Sequence, residues 1–175
     1  MFADERRWVD GIQTGLSISV TKSECLTMRV LLVDDDSLQT EWLQRELGRR
    51  LPTSQFEEIN TENEFRTQLE EIEKHPPDII LLDVMLRWTD AAEVMPPMPT
   101  DVAEGKYYSA GFRCLKLLSE VDCLKDIPVI LLTVLDESDL ARDLNNLPAN
   151  VVYIAKTADP EALYLKVLEL TRRQH

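Results

Sequence analysis

The sequence predicts an α/β protein: a doubly wound, five-stranded parallel sheet in three α/β/α layers. Two observations carry the prediction. Short apolar runs recur five times along the chain, each followed by a stretch with helical spacing, which is the alternation of a doubly wound sheet. The strongest run, Val30-Leu31-Leu32-Val33, does not alternate with polar residues, so it reads as a strand buried on both faces. It leads straight into Asp34-Asp35-Asp36, and Ile79-Ile80-Leu81-Leu82 likewise ends in Asp83. Strands of a parallel sheet deliver such groups to its carboxyl edge, where open α/β folds bind their ligands.

Taken in order, residues 1–27 show only fragments of pattern and read as an N-terminal extension; Met28, directly before the first strand, is a candidate start. Asp36, as an acidic N-cap, or Ser37 can cap a helix reaching Gly48 or Leu51, with Leu38, Trp42, Leu43 and Leu47 as its apolar stripe and Pro52 as its stop. Gln55 to Thr61 is a weak second strand around Phe56 and Ile59. Glu62 to Lys74 is a second helix with Phe65, Leu69 and Ile72 on one face, closed by His75-Pro76-Pro77. The run Ile79–Leu82 is the third strand. Residues 87–110 have no clear periodicity, contain Pro96-Pro97, Pro99 and Tyr107-Tyr108, and read as a long loop. Gly111 to Val121 is a helix, Ile127 to Thr133 the fourth strand, and Ser138 to Asn145 a short polar helix. Val151 to Ala155 is the fifth strand, followed at once by Lys156. Asp159 and Pro160 open the last helix, with Leu163, Leu165, Val167, Leu168 and Leu170 as its apolar residues.

Composition narrows the function. A chain of 175 residues, 44% hydrophobic and 29% charged, suits one globular domain with a sizeable core. The net charge of −13 disfavours direct binding to nucleic acid or anionic membranes and suits basic partners or bound cations. No apolar run approaches the length of a membrane-spanning helix, and Arg6-Arg7 lack the apolar segment of a secretory signal. Cys25, Cys114 and Cys123 are an odd number without metal-type spacing, which fits free thiols and a cytoplasmic protein. His75 and His175 are poorly placed for histidine catalysis or a zinc site.

Four strand ends carry chemistry: Asp34-Asp35, Asp83, Thr133 and Lys156. On one sheet edge they combine carboxylates suited to magnesium, a fixed positive charge and a hydroxyl. That set can neutralise an incoming phosphoryl group, and an aspartate within it can serve as nucleophile.

From Met28 onward the chain resembles the receiver domain of two-component response regulators, a flavodoxin-like fold. The matching segments are Val30 to Asp36, Pro77 to Leu86, Gly111, Ile127 to Thr133, and Tyr153-Ile154-Ala155-Lys156. The resemblance implies that Asp83 is the phosphoacceptor, Asp35 a direct ligand of Mg2+ (or Mn2+), and Asp34 an acid acting through coordinated water. The Met85 carbonyl would complete the protein's share of the metal shell. Thr133 and Lys156 would hold the phosphoryl group, and Tyr153 would be the aromatic switch that follows Thr133; read alone, Tyr153 is simply a half-buried strand aromatic. It further implies a histidine kinase or phosphotransfer protein as donor, a downstream protein target and a homodimer surface at Val151 to Arg173, while charge and hydropathy leave no nucleic acid and no membrane as expected partners. The expected domain is 28–175, with a loop insertion at about 88–110. Only Arg172-Arg173-Gln174-His175 close the chain, which predicts a stand-alone receiver that is a phosphoacceptor rather than an enzyme.

Several residues depart from the family pattern. Thr157 stands where proline usually follows the lysine, and Arg87 where proline usually lies four residues after the acceptor. Val134 replaces a very small residue after the hydroxyl and is expected to narrow access to Asp83. Met85 and Leu135, flanking the acceptor, are apolar and are expected to exclude water and slow phosphoryl loss. From Asp83 to Gly111 is 28 positions (111 − 83), far beyond the usual spacing; such loops tend to be functional or disordered, yet cost little closure entropy as tolerated insertions. These departures leave a second reading, a pseudo-receiver acting as a phosphorylation-independent binding module. A phosphohydrolase is disfavoured, because Met85 cannot supply the second carboxylate such enzymes need.

Overall fold

The computed structural model of the protein describes residues 27–91, 94–105, 109–140, 144–145 and 147–172. The expected extension (apart from Thr27), Tyr107-Tyr108 and His175 lie outside them, as do Cys25 and residues 141–143 of the short polar helix.

The elements run β1 (Arg29–Val33), α1 (Ser37–Arg50), β2 (Gln55–Ile59), α2 (Glu62–Lys74), β3 (Ile79–Leu82), α3 (Thr100–Gly105), α4 (Ala110–Ser119), β4 (Val129–Thr133), β5 (Val151–Ala155) and α5 (Pro160–Arg172). All five strands are parallel in the order β2-β1-β3-β4-β5. The pleat splits each apolar run between two faces. Leu31, Val33, Ile80 and Leu82 pack with Phe65 and Ile72 of α2 and Cys114 and Leu118 of α4. Val30, Leu32, Ile79 and Leu81 pack with Leu43 and Leu47 of α1 and Leu163, Val167 and Leu170 of α5. The three layers follow directly, and the strands are apolar throughout because both faces are covered.

Local sequence explains most boundaries. Thr61 caps α2, its Oγ1 accepting from Glu64 N–H at 3.1 Å, while the Glu64 carboxylate reaches back to Asn60 N–H at 2.9 Å. The cap of α1 is Asp36 rather than Ser37: its Oδ1 accepts from Leu38 N–H at 3.0 Å, and Ser37 is the first helical residue. Leu38 is 75% exposed instead of part of the buried stripe, because its five-residue spacing to Leu43 puts it off the face that carries Thr40, Leu43 and Leu47. Leu165 of α5 also faces solvent. Leu144 N–H donates to Leu140 carbonyl at 2.9 Å, a helical bond within the expected polar helix. Cys114 is buried and Cys123 exposed, both as free thiols. No helix among the described residues is long and apolar enough to cross a membrane.

The expectation of an unstructured loop at 87–110 needs correction, because α3 lies within it. Val102 and Ala103 N–H both donate to the Pro99 carbonyl, and Val102 is buried. A six-residue helix is too short to show periodicity in sequence; packing against the domain, not propensity, holds it.

Gly111 is required by contact. Its N–H donates to the Val84 carbonyl at 2.9 Å, and a Cβ there would lie 2.4 Å from the Asp83 carbonyl oxygen and 2.8 Å from Val84 Cα. Both obstacles are backbone, so α4 or the segment after β3 would have to shift. Overpacking of this kind costs about 1–3 kcal/mol. Gly111→Ala is therefore expected to lower the melting temperature by roughly 5–10 °C in a thermal scan; an unchanged melting temperature would show that the approach is not tight.

Candidate functional site

Strand register assembles the site. Val33, Leu82, Leu131 and Tyr153 are level across β1, β3, β4 and β5. Asp34 and Asp83 stand one residue beyond that row, Thr133 two and Lys156 three. The strand order reverses between β1 and β3, which is the topological switch point where such sheets open a ligand crevice. The Asp83 N–H donates to the Val33 carbonyl at 2.8 Å and so holds the two acid-bearing ends together.

One oxygen from each of Asp34, Asp35 and Asp83 lies within 4.8 Å of the others. Lys156 serves two of them, with Nζ 2.6 Å from Asp34 Oδ2 and 2.7 Å from Asp83 Oδ2. The remaining oxygens accept backbone N–H groups, Asp34 Oδ1 from Asp36 at 3.0 Å and Asp83 Oδ1 from Met85 at 3.1 Å. Burial pushes the Asp34 carboxyl up to about 6, against the pull of Lys156 and the Asp36 N–H and with a further push from Asp83. Burial works against the Lys156 ammonium, but Asp83 and Asp34 outweigh it and hold its pKa above the usual lysine value. Two of the three acids therefore share one largely buried ammonium. The donors are hard oxygens with unmatched negative charge, a set that fits Mg2+.

Thr133 and Tyr153 meet on the backbone of Leu135. Thr133 is buried and its Oγ1 accepts from Leu135 N–H at 3.4 Å, while Tyr153 Oη donates to the Leu135 carbonyl at 2.8 Å. Neither is bonded to Asp83 or Lys156 through its side chain here. Tyr153 packs half-buried against the α2/α4 face of the core. Val134, directly after β4, is 61% exposed.

Two features were not foreseen. Arg87, noted only as a missing proline, holds Asp35: its main-chain N–H donates to Asp35 Oδ2 at 3.1 Å and its Nη2 donates to the Asp35 carbonyl oxygen. Glu62, fully buried, accepts from Arg113 Nε at 2.8 Å and Arg66 Nη2 at 2.8 Å, and Arg66 also pairs with Asp101 of α3. The insertion is thus fastened to α2 and α4. Between it and Asp35 lies a cavity of about 470 Å³ lined by Arg87, Trp88, Met98 and Val102. Only the i,i+4 pair of Glu62 and Arg66 has a local signature; Arg87 and Asp35 are 52 positions apart and Arg113 and Glu62 are 51 apart.

The raised Asp34 value has a measurable sign. In metal-free protein the folded state takes up a proton near pH 6 that an unfolded aspartate takes up only near pH 3.8. Stability from this group is therefore gained as pH falls through about 6 and lost as pH rises through it. With a chelator present, Asp34→Asn should be more stable than wild type at pH 7.5 by about 2 kcal/mol in urea unfolding, and that advantage should shrink by pH 5.5. A pH-independent difference would contradict the assignment.

No family model matches the sequence. The chain is 29% identical over 148 residues to response regulator PleD of Caulobacter vibrioides, which covers 84% of this chain; the match spans only 27% of the relative's length. Among solved structures, it resembles the signal receiver domain of a signal transduction histidine kinase from Syntrophus aciditrophicus (TM-score 0.60, 25% identity, 83% of this chain and 91% of that one). It also resembles the phosphorylated cyanobacterial phytochrome response regulator RcpA (TM-score 0.58, 22% identity, 82% and 91% covered). The flavodoxin-like sheet order and the acid group with its lysine are therefore those of a fold similar to the receiver domains of response regulators.

Proposed function

We propose that this protein is a Mg2+-dependent phosphoacceptor, with Asp83 receiving a phosphoryl group from the phosphohistidine of a histidine kinase or phosphotransfer protein. The observation that carries the reading is one buried ammonium, Lys156, shared by Asp34 and Asp83. In the transfer, an Asp83 carboxylate oxygen forms the new P–O bond, the P–N bond to the donor imidazole breaks, and its electron pair returns to that nitrogen. Asp35, Asp83 and the Met85 carbonyl would hold the cation, with Asp34 behind water, and a bound Mg2+ (or Mn2+) would supply positive charge to the phosphoryl oxygens. The residues of the chain do the rest. Met85 N–H steadies Asp83 Oδ1, and Lys156 exchanges a carboxylate for a phosphoryl oxygen as charge builds there.

The switch reading of Thr133 and Tyr153 draws support from their common tie to Leu135. If Thr133 turns to donate to the phosphoryl group, it releases Leu135 N–H, and the bond that anchors Tyr153 loses its fixed partner. The surface around Leu135, β5 and α5 would then change shape for a downstream protein or a second copy of the chain. A signalling module is the consistent role, since receiver domains pass on a state and do not turn over a substrate.

A second reading is a pseudo-receiver that binds a partner without being phosphorylated. One observation favours it: Arg87 already occupies Asp35.

Incubation with Mg2+ and a small phosphodonor should add one phosphoryl group to wild type and none to Asp83→Asn by intact mass; no gain under any condition leaves the second reading. Met85 and Leu135 occupy the positions that flank the acceptor in receiver domains, and their apolar side chains would disfavour attacking water. The phosphoform is therefore expected to persist for hours in a radiolabel chase, and loss within minutes would refute that protection.

A further inference from the structure

The site holds one cation that the phosphorylation reading leaves unused. Arg87 stands four residues after Asp83, and its guanidinium Nε lies 3.5 Å from Asp35 Oδ2. On its other side, Nη1 lies 3.2 Å from Asp90 Oδ1, so the group has a second carboxylate within reach. The backbone here is fixed: the Arg87 and Trp88 carbonyls accept the Glu62 and Asn63 N–H groups at the start of α2, at 3.0 and 2.9 Å. The cavity lined by Asp35, Arg87, Trp88 and Val102 gives the side chain room to move while the main chain stays.

We propose that Arg87 is a resident cation on Asp35 that a divalent metal must displace toward Asp90, so that this residue sets the metal affinity of the site. The inference rests on the metal-dependent reading above and deepens it. A guanidinium and a divalent cation sharing one carboxylate repel each other, and each weakens the other's hold by the same factor. The contact is half exposed (46% for Arg87, 31% for Asp35), so the competition is moderate and metal can win. Proline at this position would offer no such competitor, which makes the effect a property of this chain.

The test is calorimetric titration of Mg2+ alone into metal-stripped full chain, with no phosphodonor. Arg87→Ala should bind Mg2+ about fivefold more tightly than wild type, the scale of a partly exposed ion pair. Arg87→Gln, which keeps the length and a hydrogen-bonding end, should do the same and serves if the alanine variant folds poorly. Arg45→Ala removes an exposed charge from α1 and should stay within about twofold, controlling for net charge. Affinity at Arg87→Ala and Arg87→Gln equal to or weaker than wild type overturns the proposal, as does equal tightening by Arg45→Ala. Absence of Mg2+ binding by all the proteins overturns the metal-dependent reading as well.

Discussion

A single ammonium among three carboxylates is the constraint on which the rest of this structure depends. Lys156 lies between Asp34 and Asp83, 73 positions from the latter in sequence, and can do so only if β1, β3 and β5 keep their register. Unpaired charge buried in protein is costly, so the sheet edge stays tolerable through a dense set of donors: Lys156, the Met85 and Asp36 N–H groups, and Arg87 on Asp35. Negative charge still exceeds positive charge there. The excess is the physical reason that a cation suits this edge.

The same accounting governs the insertion. Glu62 is fully buried at the start of α2, which is tolerable only because Arg113 of α4 and Arg66 of α2 both reach it. Arg66 then extends to Asp101 and lies over the Trp88 ring at 6.0 Å, so the ions that neutralise Glu62 also seat α3. A segment without periodicity becomes part of the domain through side-chain pairs rather than through a hydrophobic stripe. Gly111 closes the arrangement from the other side by letting α4 approach the Asp83 backbone.

Much of this was legible without coordinates. Apolar runs without alternation announced strands covered on both faces, and their terminal residues named Asp34, Asp35, Asp83, Thr133 and Lys156 as one constellation. Boundaries set by local chemistry, such as Pro160 at the start of α5, were readable for the same reason. The misses are of two physical kinds. Leu38 stands five residues before Leu43, off the face that α1 buries, so an apolar residue there is no sign of burial. Helix α3 is shorter than the window in which amphipathic spacing can be recognised.

By itself the sequence determined the element types, the two-sided burial of the strands and the chemistry available at their ends, because backbone periodicity and strand termini are local properties. Only the tertiary structure decided how those groups pair. It put Arg87 on Asp35, Arg113 on Glu62, and both Thr133 and Tyr153 on the backbone of Leu135. Three of these four contacts join side chains or backbone from separate elements, and the strand order that brings such elements together has no counterpart in residue spacing.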